Sequence, residues 1–362
     1  MSMSKPPFGN DPAKIEKYTA FWNRQDVKRP LVGFRFIGWF PMGEFTSCKA
    51  WRSSQYLTAD MTAPEAFMDD YIRLLREGET VDDDIIRGAC PMQVAVPFLP
   101  GMLGCKVRIL PENVMGEEQH LSWDEALQAR LDHQGPWFRA YMEFAQALVA
   151  RSNGRFPVSH APDLGPTDLH AVLRGHSQSI LDLMDEPERS AELLWRLGEI
   201  FLEFTEELWK RVPLFHGGYF DTVFSLWSPG PIILMAEDAT AVYSPDLYRK
   251  FVQPVDRMLA GHFANSVIHL HSTSMFLLEA FLEIEEIQCF EINNDACGPP
   301  VKEMVPYFQM VQKAERPLLI RGSFSPEETQ LLVDSLEPRG LFLNIMVNTM
   351  EEVEALKRIL FT

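Results

Sequence analysis

Basic residues are scarce in this sequence relative to acidic ones. The 362 residues include 33 lysines and arginines against 51 aspartates and glutamates, which gives a formal net charge of −18 at pH 7. Nucleic acids and anionic membranes carry phosphate charges that would repel such a chain, so neither is expected as a partner. We expect a small-molecule ligand instead, and the charge balance does not identify it.

Cysteines are also few, and long apolar runs are absent. The cysteines are odd in number and form no Cys-x-x-Cys pair, which argues against a disulfide scaffold. No apolar run reaches the roughly 20 residues that span a bilayer, and the N-terminus lacks the apolar centre of a signal peptide. We therefore expect a cytoplasmic protein with reduced thiols. The five cysteines are Cys48, Cys90, Cys105, Cys289 and Cys297.

Glycine-rich phosphate loops of the GxGxxG or GxxxxGK type are missing, and so are linkers rich in glycine and serine. Short β-like runs instead alternate with amphipathic helices. The clearest pattern is in the C-terminal third, where four strand-then-helix units predict parallel strands with crossover helices. The strands are expected at residues 266–269, 286–292, 317–321 and 341–347, and the helices at 275–282, 300–313, 326–336 and 350–360.

A chain of this length has room for eight such units, which favours an α/β fold of the (β/α)8 or TIM-barrel type. Further strands are expected at residues 30–36, 155–161 and 219–224. We predict a single barrel domain over residues 29–362, preceded by a helical N-terminal extension over residues 1–28. A doubly wound open sheet is the alternative, and the missing glycine-rich loop counts against it.

The most informative stretch is residues 266–274, where a short β-like run ends in His269-Leu270-His271. Residues i and i+2 of a strand point to the same face, so the two imidazoles converge where the strand gives way to a polar turn. Convergent imidazoles are typical metal ligands, and His269 and His271 are our candidate pair. The alternative is that one histidine is hydrogen-bonded at the strand end and the other is merely polar.

Loops at the carboxyl ends of barrel strands carry the chemistry in this type of fold. Glu291, Arg321 and Asn348 end or follow predicted strands. Glu291 is therefore a candidate metal ligand, and Arg321 and Asn348 are candidate substrate-binding residues. Cys297 lies in a loop and is a further candidate ligand, although a lone thiol is more often inert.

A second group of candidates lies in the middle of the chain. Tyr219, Asp221 and Trp227 fall in one segment that would line the barrel mouth and bind substrate. Aromatic residues in such a place more often serve packing. Asp163 precedes a Gly-Pro turn at a strand end, where it is either a catalytic residue or a turn-forming aspartate.

Motifs in a fixed order run through the C-terminal two thirds of the chain. Residues 165–175 hold a Gly-Pro-Thr turn and a helix that ends in glycine, and residues 180–188 include Leu-Met-Asp-Glu-Pro-Glu. Glu237-Asp238 is followed by Ser-Pro-Asp-Leu-Tyr-Arg-Lys-Phe-Val-Gln-Pro within residues 243–254. These motifs resemble those of the uroporphyrinogen decarboxylase superfamily over about residues 150–360. The resemblance implies a (β/α)8 barrel, a homodimer and one of two chemistries.

One chemistry is the metal-free decarboxylation of uroporphyrinogen, a substrate with many carboxylates. The family's N-terminal arginine element, which grips those carboxylates, is missing, and Arg35 is the nearest substitute. The family's tyrosine in the Gly-Pro-Thr helix falls on Ala171. Its acidic residue after the second strand corresponds to Asp82, Asp83 or Asp84, of which Asp84 is our catalytic candidate. A run of three aspartates is more often a solvated turn.

The other chemistry is methyl transfer, for which related enzymes use zinc and a corrinoid protein. The family's zinc site is a His-x-Cys pair with a distant cysteine. Here His269 keeps its position, His271 replaces the first cysteine, and no cysteine stands at the distant position. The third ligand would be Glu291, Cys297 or Glu237. A histidine-rich site is harder than a thiolate site, which favours an ether, an amine or an oxygen substrate over a thiol.

The resemblance thus favours a zinc-dependent methyltransferase that demethylates a small methylated compound, with a corrinoid protein as its partner. By its position in the family, Asp238 would bind substrate or accept a proton. One alternative is a metal-free decarboxylase. Another is a non-catalytic binding barrel, in which the acids and histidines at the strand ends pair with one another and leave no open coordination position. Residues 112–137 are a candidate extra cap or lid over the barrel mouth, which their composition does not decide.

Overall fold

The computed structural model describes residues 6–36, 42–93 and 96–361. In chain order, the strands are β1 (Leu31–Arg35), β2 (Tyr56–Leu57), β3 (Val107–Ile109), β4 (Val114–Gly116), β5 (Tyr219–Asp221), β6 (Leu226–Ser228), β7 (Ile232–Ala236), β8 (Asn265–His271), β9 (Cys289–Asn293), β10 (Leu318–Gly322) and β11 (Leu341–Met346).

The α-helices surround these strands and alternate with them in the C-terminal half. They are α1 (Lys14–Trp22), α2 (Cys48–Trp51), α3 (Met68–Leu75), α4 (Phe98–Met102), α5 (Trp123–Ala126), α6 (Pro136–Ser152), α7 (Pro166–Arg174), α8 (His176–Asp185), α9 (Pro187–Trp209), α10 (Pro245–Leu247), α11 (Gln253–His262), α12 (Leu278–Leu282), α13 (Val301–Lys313), α14 (Pro326–Ser335) and α15 (Met350–Leu360). None of the helices in the described part of the chain has the length and apolar character that crossing a membrane requires.

Six parallel strands form the main sheet, in the order β1-β11-β10-β9-β8-β7. From β7 to β11 each strand pairs with the next one along the chain, and a helix connects each pair. The four strand-then-helix units predicted in the C-terminal third are therefore confirmed. In a doubly wound fold the strand order reverses within the sheet, whereas here it runs in one direction from β7 to β11. The last strand, β11, pairs with the first, β1.

Two further segments continue the arrangement beyond β1. The N–H of Asp84 donates to the carbonyl oxygen of Val32 at 2.9 Å, and Ala89 pairs with Val158 in one parallel bridge. Among the described residues, these contacts do not complete a hydrogen-bonded ring of eight strands. The architecture is thus α/β, built on a six-stranded parallel sheet.

The sheet has two different faces, because successive residues of a strand point in opposite directions. Ile268 and Leu270 of β8 belong to the larger apolar core, which the surrounding helices share. The opposite face, here called the inner face, packs against α1 and the β5–β6 hairpin. Every strand of the sheet contributes one residue to this second core, so the sheet curves around it. These residues are Leu31, Ile232, Val267, Cys289, Leu319 and Phe342.

The inner face becomes polar towards the carboxyl ends of the strands. Val267 of β8 is followed on this face by His269 and His271, and Cys289 of β9 is followed by Glu291 and Asn293. The same change occurs on three other strands, with Arg35, Arg321 and Asn344. An apolar base thus carries a ring of polar side chains at one end of the curved sheet.

The segment predicted as a strand at residues 219–224 does not join the parallel sheet. Only Tyr219–Asp221 is extended, and it pairs antiparallel with Leu226–Ser228 as a hairpin. The turn of this hairpin packs inside the curve of the sheet, where the hydroxyl of Tyr18 donates to the carbonyl oxygen of Ser225 at 2.6 Å. Within the N-terminal extension, α1 therefore closes the apolar end of the inner face.

Residues 112–137 lie along the side of α7. The N–H of Gln119 donates to the carbonyl oxygen of Val172 at 2.9 Å, and the N–H of Leu121 donates to that of Leu173 at 2.9 Å. The guanidinium of Arg174 lies 4.2 Å from the ring centroid of Trp123. These contacts tie the segment to the flank of α7.

Candidate metal centre

His269 and His271 project from the same face of β8, as their spacing predicts. Their Nε2 atoms are 3.3 Å apart. Asp238, which follows β7, faces both: its Oδ1 is 3.9 Å from Nε2 of His269 and its Oδ2 is 3.6 Å from Nε2 of His271. One ligand atom from each of the three residues lies within 4.8 Å of the other two. Neighbouring parallel strands therefore bring two imidazoles and a carboxylate together.

Each imidazole is held from behind by another carboxylate. Nδ1 of His269 is hydrogen-bonded to Glu291, and Nδ1 of His271 is 2.8 Å from Oδ1 of Asp295. The first contact follows from the sheet register, which places Glu291 beside His269 on adjacent strands. A carboxylate at Nδ1 fixes the orientation of the ring and directs Nε2 towards the other two residues, which is the arrangement found behind metal-bound histidines.

Glu291 is in turn anchored by Arg321. The Nε atom of Arg321 lies 3.0 Å from Oε1 of Glu291, and both side chains are buried. The same guanidinium donates to the Oδ1 atom of Asn293 at 3.0 Å and lies 5.1 Å from the ring centroid of Phe224. Burial lowers the pKa of Arg321 to about 9, against the opposing charge of Glu291. The imidazole of His269 thus rests on a buried ion pair.

The second backing carboxylate belongs to a polar turn. Asp295 accepts the N–H of Ser272 at 2.9 Å and its hydroxyl at 2.8 Å, as well as the side-chain amide of Asn293. Burial opposes the ionised form of Asp295, but the hydrogen bonds from His271, Ser272 and Asn293 and the charge of His271 together outweigh it and lower the pKa of the carboxyl. Hydrogen bonds that the ring donates to Asp238 and Asp295 raise the pKa of His271 to about 10.

Asp238 is the most accessible of the three residues. Its side chain is 45% exposed, against 37% for His271 and 11% for His269, so the group opens to solvent on the Asp238 side. Burial would raise the pKa of Asp238, but the hydrogen bond with His271 and the charge of His269 outweigh it and lower the pKa. The carboxylate is therefore held ionised, as a metal ligand must be.

These features fit a divalent metal. Two imidazole nitrogens and one carboxylate oxygen are a ligand set of zinc and of other first-row metals, and three protein ligands leave coordination positions open for substrate. Asp238 takes the place of the third ligand, for which Glu291, Cys297 and Glu237 were considered. Among the described residues, these three are absent from the ligand group.

Two of those three residues, Glu291 and Glu237, are occupied elsewhere, and the third is exposed. Glu291 binds the far nitrogen of His269 and so supports a ligand. Glu237 is buried, and its Oε2 accepts the N–H of Thr167 at 2.9 Å. Burial and the neighbouring Asp256 raise the pKa of Glu237 well above its ordinary value. Cys297 has an exposed thiol.

Arg35 ends β1 on the inner face. Its Nη1 donates to the carbonyl oxygens of Thr222 and Val223, at 3.1 and 2.7 Å. It lines a cavity of about 40 Å³ together with Glu77 and Arg87, and burial lowers the pKa of Arg35. The residue therefore holds a cation inside the fold, beside the backbone of the β5–β6 turn.

The three candidates on the β5–β6 hairpin differ in their surroundings. Asp221 is buried and accepts the N–H of Phe224 at 2.7 Å, and burial raises its pKa to about 7. Tyr219 packs edge-on against Trp209, with ring centroids 5.1 Å apart. Trp227 donates its indole N–H to a backbone oxygen at 2.8 Å and is buried. Asp221 keeps a protonatable group inside the fold, and the two aromatic residues pack.

Asp163 shares a cavity of about 20 Å³ with Asp221 and His160. It accepts the N–H of Leu164 at 2.9 Å, and burial raises the pKa of Asp163 to about 8. Asp163 and Asp221 therefore form a second acidic group inside the fold, each with a raised pKa.

Asp84 lies at the opposite end of the sheet from the histidines. It accepts the N–H of Val32 near the start of β1 at 3.0 Å and bonds to Arg29 and Lys17. Burial opposes ionisation, but the hydrogen bonds from the two cations lower the pKa of Asp84. Asp84 thus has a structural place, in contrast to the catalytic role expected from the sequence.

Asn348 is exposed, and its contact is with the start of a helix. Its N–H donates to the side chain of Glu352 at 2.8 Å, which closes the first turn of α15.

Two residues that contact the group were not among the sequence candidates. They are Asp295, behind His271, and Asp168, which accepts the N–H of Asp238. Asp295 lies two residues beyond β9, so the strand-end pattern would have found it. No sequence signal marks Asp168, which lies within α7.

Comparisons with known proteins support the architecture. No protein-family model matches the chain, and no curated protein sequence matches it. Among solved structures, a methyltransferase from Methanosarcina mazei aligns with a TM-score of 0.63 over 95% of this chain and 96% of that chain. The two sequences are 14% identical over this alignment. At that identity, the likeness shows a shared fold.

Proposed function

We propose that this protein is a zinc-dependent methyltransferase that demethylates a small methylated compound and passes the methyl group to a corrinoid carried by a partner protein. The observation that carries the proposal is the convergence of Asp238, His269 and His271, with a carboxylate behind each imidazole. The fold shared with a methyltransferase is consistent with it. The sequence resemblance described above supports the same branch of chemistry.

The ligand set favours a particular kind of methyl donor. Two imidazoles and a carboxylate make a harder centre than thiolates do, so the methyl group would leave an oxygen or a nitrogen more readily than a sulfur. Zinc bound at the centre would act as a Lewis acid towards that oxygen or nitrogen. A corrinoid in its Co(I) form would accept the methyl group as a cation equivalent, and the leaving oxygen or nitrogen would keep the electron pair and take up a proton.

The chain's own residues would orient the substrate and supply that proton. Arg35, on the same inner face as the histidines, would bind an anionic part of the substrate. Asp221 has a pKa near 7 because of its burial, so it holds a proton in a large share of molecules at neutral pH. Arg321 would act through Glu291, by keeping the imidazole of His269 in place.

The sheet is proposed to close into a (β/α)8 barrel through the two segments beyond β1. The segments around the bridge between Ala89 and Val158 would supply the seventh and eighth positions, and Ile232 and Leu234 of β7 line one cavity with Asp163 and His160. The corrinoid protein would approach the carboxyl ends of the strands, where Asp238 is accessible. A homodimer and a cytoplasmic location stay predictions of the sequence.

The direct test is methyl transfer to free cob(I)alamin, followed by absorbance, with methoxy, methylamino and methylthio compounds as donors. We expect turnover with a methoxy or methylamino donor and a loss of at least about 100-fold in His269→Ala, because a ligand is removed. His262→Ala is the matched control, since His262 is exposed and pairs with Glu206 at 2.7 Å on another surface. Equal turnover in the parent and His269→Ala would contradict the proposal, as would release of carbon dioxide from carboxylated donors without metal.

A further inference from the structure

The loop that carries Asp238 is held by a side chain from another element. Asp238 begins a 3-10 helix over Asp238–Val242, and the side chain of Glu237, its N-cap residue, makes no capping hydrogen bond. The first N–H groups of this helix instead donate to Asp168 of α7. The N–H of Asp238 is 3.1 Å from Oδ2 and the N–H of Ala239 is 3.0 Å from Oδ1. One distant carboxylate therefore caps the helix that presents Asp238.

The start of α7 touches the same loop at two further points. Thr167 donates its N–H and its hydroxyl to Oε2 of Glu237, at 2.9 and 2.5 Å. A Cβ atom at Gly165 would lie 1.7 Å from the carbonyl oxygen of Ala236, so only glycine permits this approach. The Gly-Pro-Thr-Asp turn and the Glu-Asp pair, which are 70 residues apart in the sequence, thus form one hydrogen-bonded unit.

We infer that Asp168 is a positioning residue for Asp238, and that it thereby sets the affinity of the centre for a divalent metal. His269 and His271 are placed by the register of β8 in the sheet. Asp238 lies beyond the end of β7, where no strand pairing holds it. The two hydrogen bonds to Asp168 do that work, and they fix the carboxylate opposite the two Nε2 atoms.

The effect on affinity follows from populations. If the loop is in the binding conformation for only a fraction of the time, the apparent dissociation constant for the metal equals the intrinsic one divided by that fraction. Removing the cap releases the first turn of the helix and lets the Asp238 carboxylate leave the imidazoles. Groups that orient metal ligands typically change affinity by about 10- to 100-fold when they are removed. The inference rests on the metal centre proposed above and adds a residue that does not touch the metal.

The test is titration of the metal-free protein with Co²⁺, because its visible absorbance reports both the affinity and the ligand set. We expect Asp168→Ala to bind Co²⁺ about 10- to 100-fold more weakly than the parent, with an altered spectrum. Asp168→Asn keeps one acceptor oxygen and should lie between the two. The matched control is Asp182→Asn. This change breaks a buried ion pair, 2.7 Å long, between Asp182 of α8 and Arg174 of α7, the helix that carries Asp168. It should lower stability and leave Co²⁺ affinity and spectrum unchanged.

The outcomes separate this inference from the proposed centre. Equal Co²⁺ affinity in the parent, Asp168→Asn and Asp168→Ala would overturn the inference alone. The same loss in Asp182→Asn as in Asp168→Asn would also overturn it, because the effect would then be one of stability. If Asp238→Ala binds Co²⁺ as tightly as the parent, both the centre and the inference are wrong. If Asp168→Ala does not fold, the Co²⁺ affinity of Asp168→Asn decides. Because Asp168 is inferred to act through Asp238, adding Asp168→Asn to an Asp238→Ala chain must not weaken Co²⁺ binding any further, and a further loss would overturn the inference.

Discussion

His170 lies fully buried on α7, and neither of its ring nitrogens has a hydrogen-bond partner among the described residues. Burial lowers the pKa of His170 to about 4, so the ring is neutral in the folded protein at pH 7. In the unfolded chain a histidine titrates near 6.5. Because the folded pKa is the lower one, protonation of this histidine costs no stability above about pH 6.5, and it destabilises the fold increasingly as the pH falls towards 4.

Replacing this ring should therefore change both the stability and its pH dependence. We expect His170→Leu to raise the free energy of unfolding at pH 7 by about 1 kcal/mol, because an unsatisfied buried polar group is removed. Between pH 6.5 and pH 4, the free energy of unfolding of His170→Leu should fall by about 3 kcal/mol less than that of the parent. Urea unfolding at several pH values measures both effects, with His176→Leu as the control at an exposed position of α8. Parallel pH profiles for His170→Leu and the parent would show that another group causes the acid sensitivity.

At the scale of single residues, the sequence located part of the site. The i and i+2 spacing of His269 and His271 predicts one shared face, and the structure has it. Asp238 was marked through the resemblance, but its place beside the imidazoles depends on the pairing of β7 with β8. Asp168 acts across 70 residues of chain, and no local pattern reports such a contact.

At the scale of elements, α14 shows a sequence signal that the structure reproduces in full. The hydroxyl of Ser325 accepts the N–H of Glu328 at 3.1 Å, and the side chain of Glu328 accepts the N–H of Ser325 at 2.9 Å. We expect Ser325→Ala to lower the free energy of unfolding by about 1 kcal/mol, since one N–H of the first turn loses its acceptor.

Urea unfolding of the whole protein measures this difference. Ser325→Thr is the matched control, because threonine keeps the hydroxyl and should lose only a few tenths of a kcal/mol. Equal losses in the alanine and threonine variants would mean that the cap contributes nothing here and that the loss comes from packing.

The repeated strand-then-helix units of the C-terminal third were predicted well, whereas the pairing of the short apolar run at residues 219–224 was not. The last four strands and their helices agree with the sequence pattern to within a few residues, because strand, cap and amphipathic helix all indicate the same units. The run at residues 219–224 has the composition of a buried strand. Its hairpin partner over Leu226–Ser228 decides its pairing, and composition does not distinguish an antiparallel hairpin from a parallel strand.

At the scale of the whole molecule, a gradient of polarity along the inner face accounts for where the site is. Apolar residues at the strand starts pack against α1 and the hairpin, which excludes water from that end. Polar residues further along β1, β8, β9, β10 and β11 meet at the other end, where they pair or face solvent. The candidate metal centre therefore lies where three neighbouring strands, β7, β8 and β9, end together on this apolar base.

The measurement that tests the central claim most directly is the metal content of the protein purified without added metal, by elemental mass spectrometry. The parent should be compared with the His269→Ala/His271→Ala variant and with the His262→Ala control. The account predicts about one zinc per chain in the parent and the control, and none in the double variant, since three convergent ligands are required for a catalytic-type zinc centre. Metal at the same level in the double variant, or none in the parent, would contradict it.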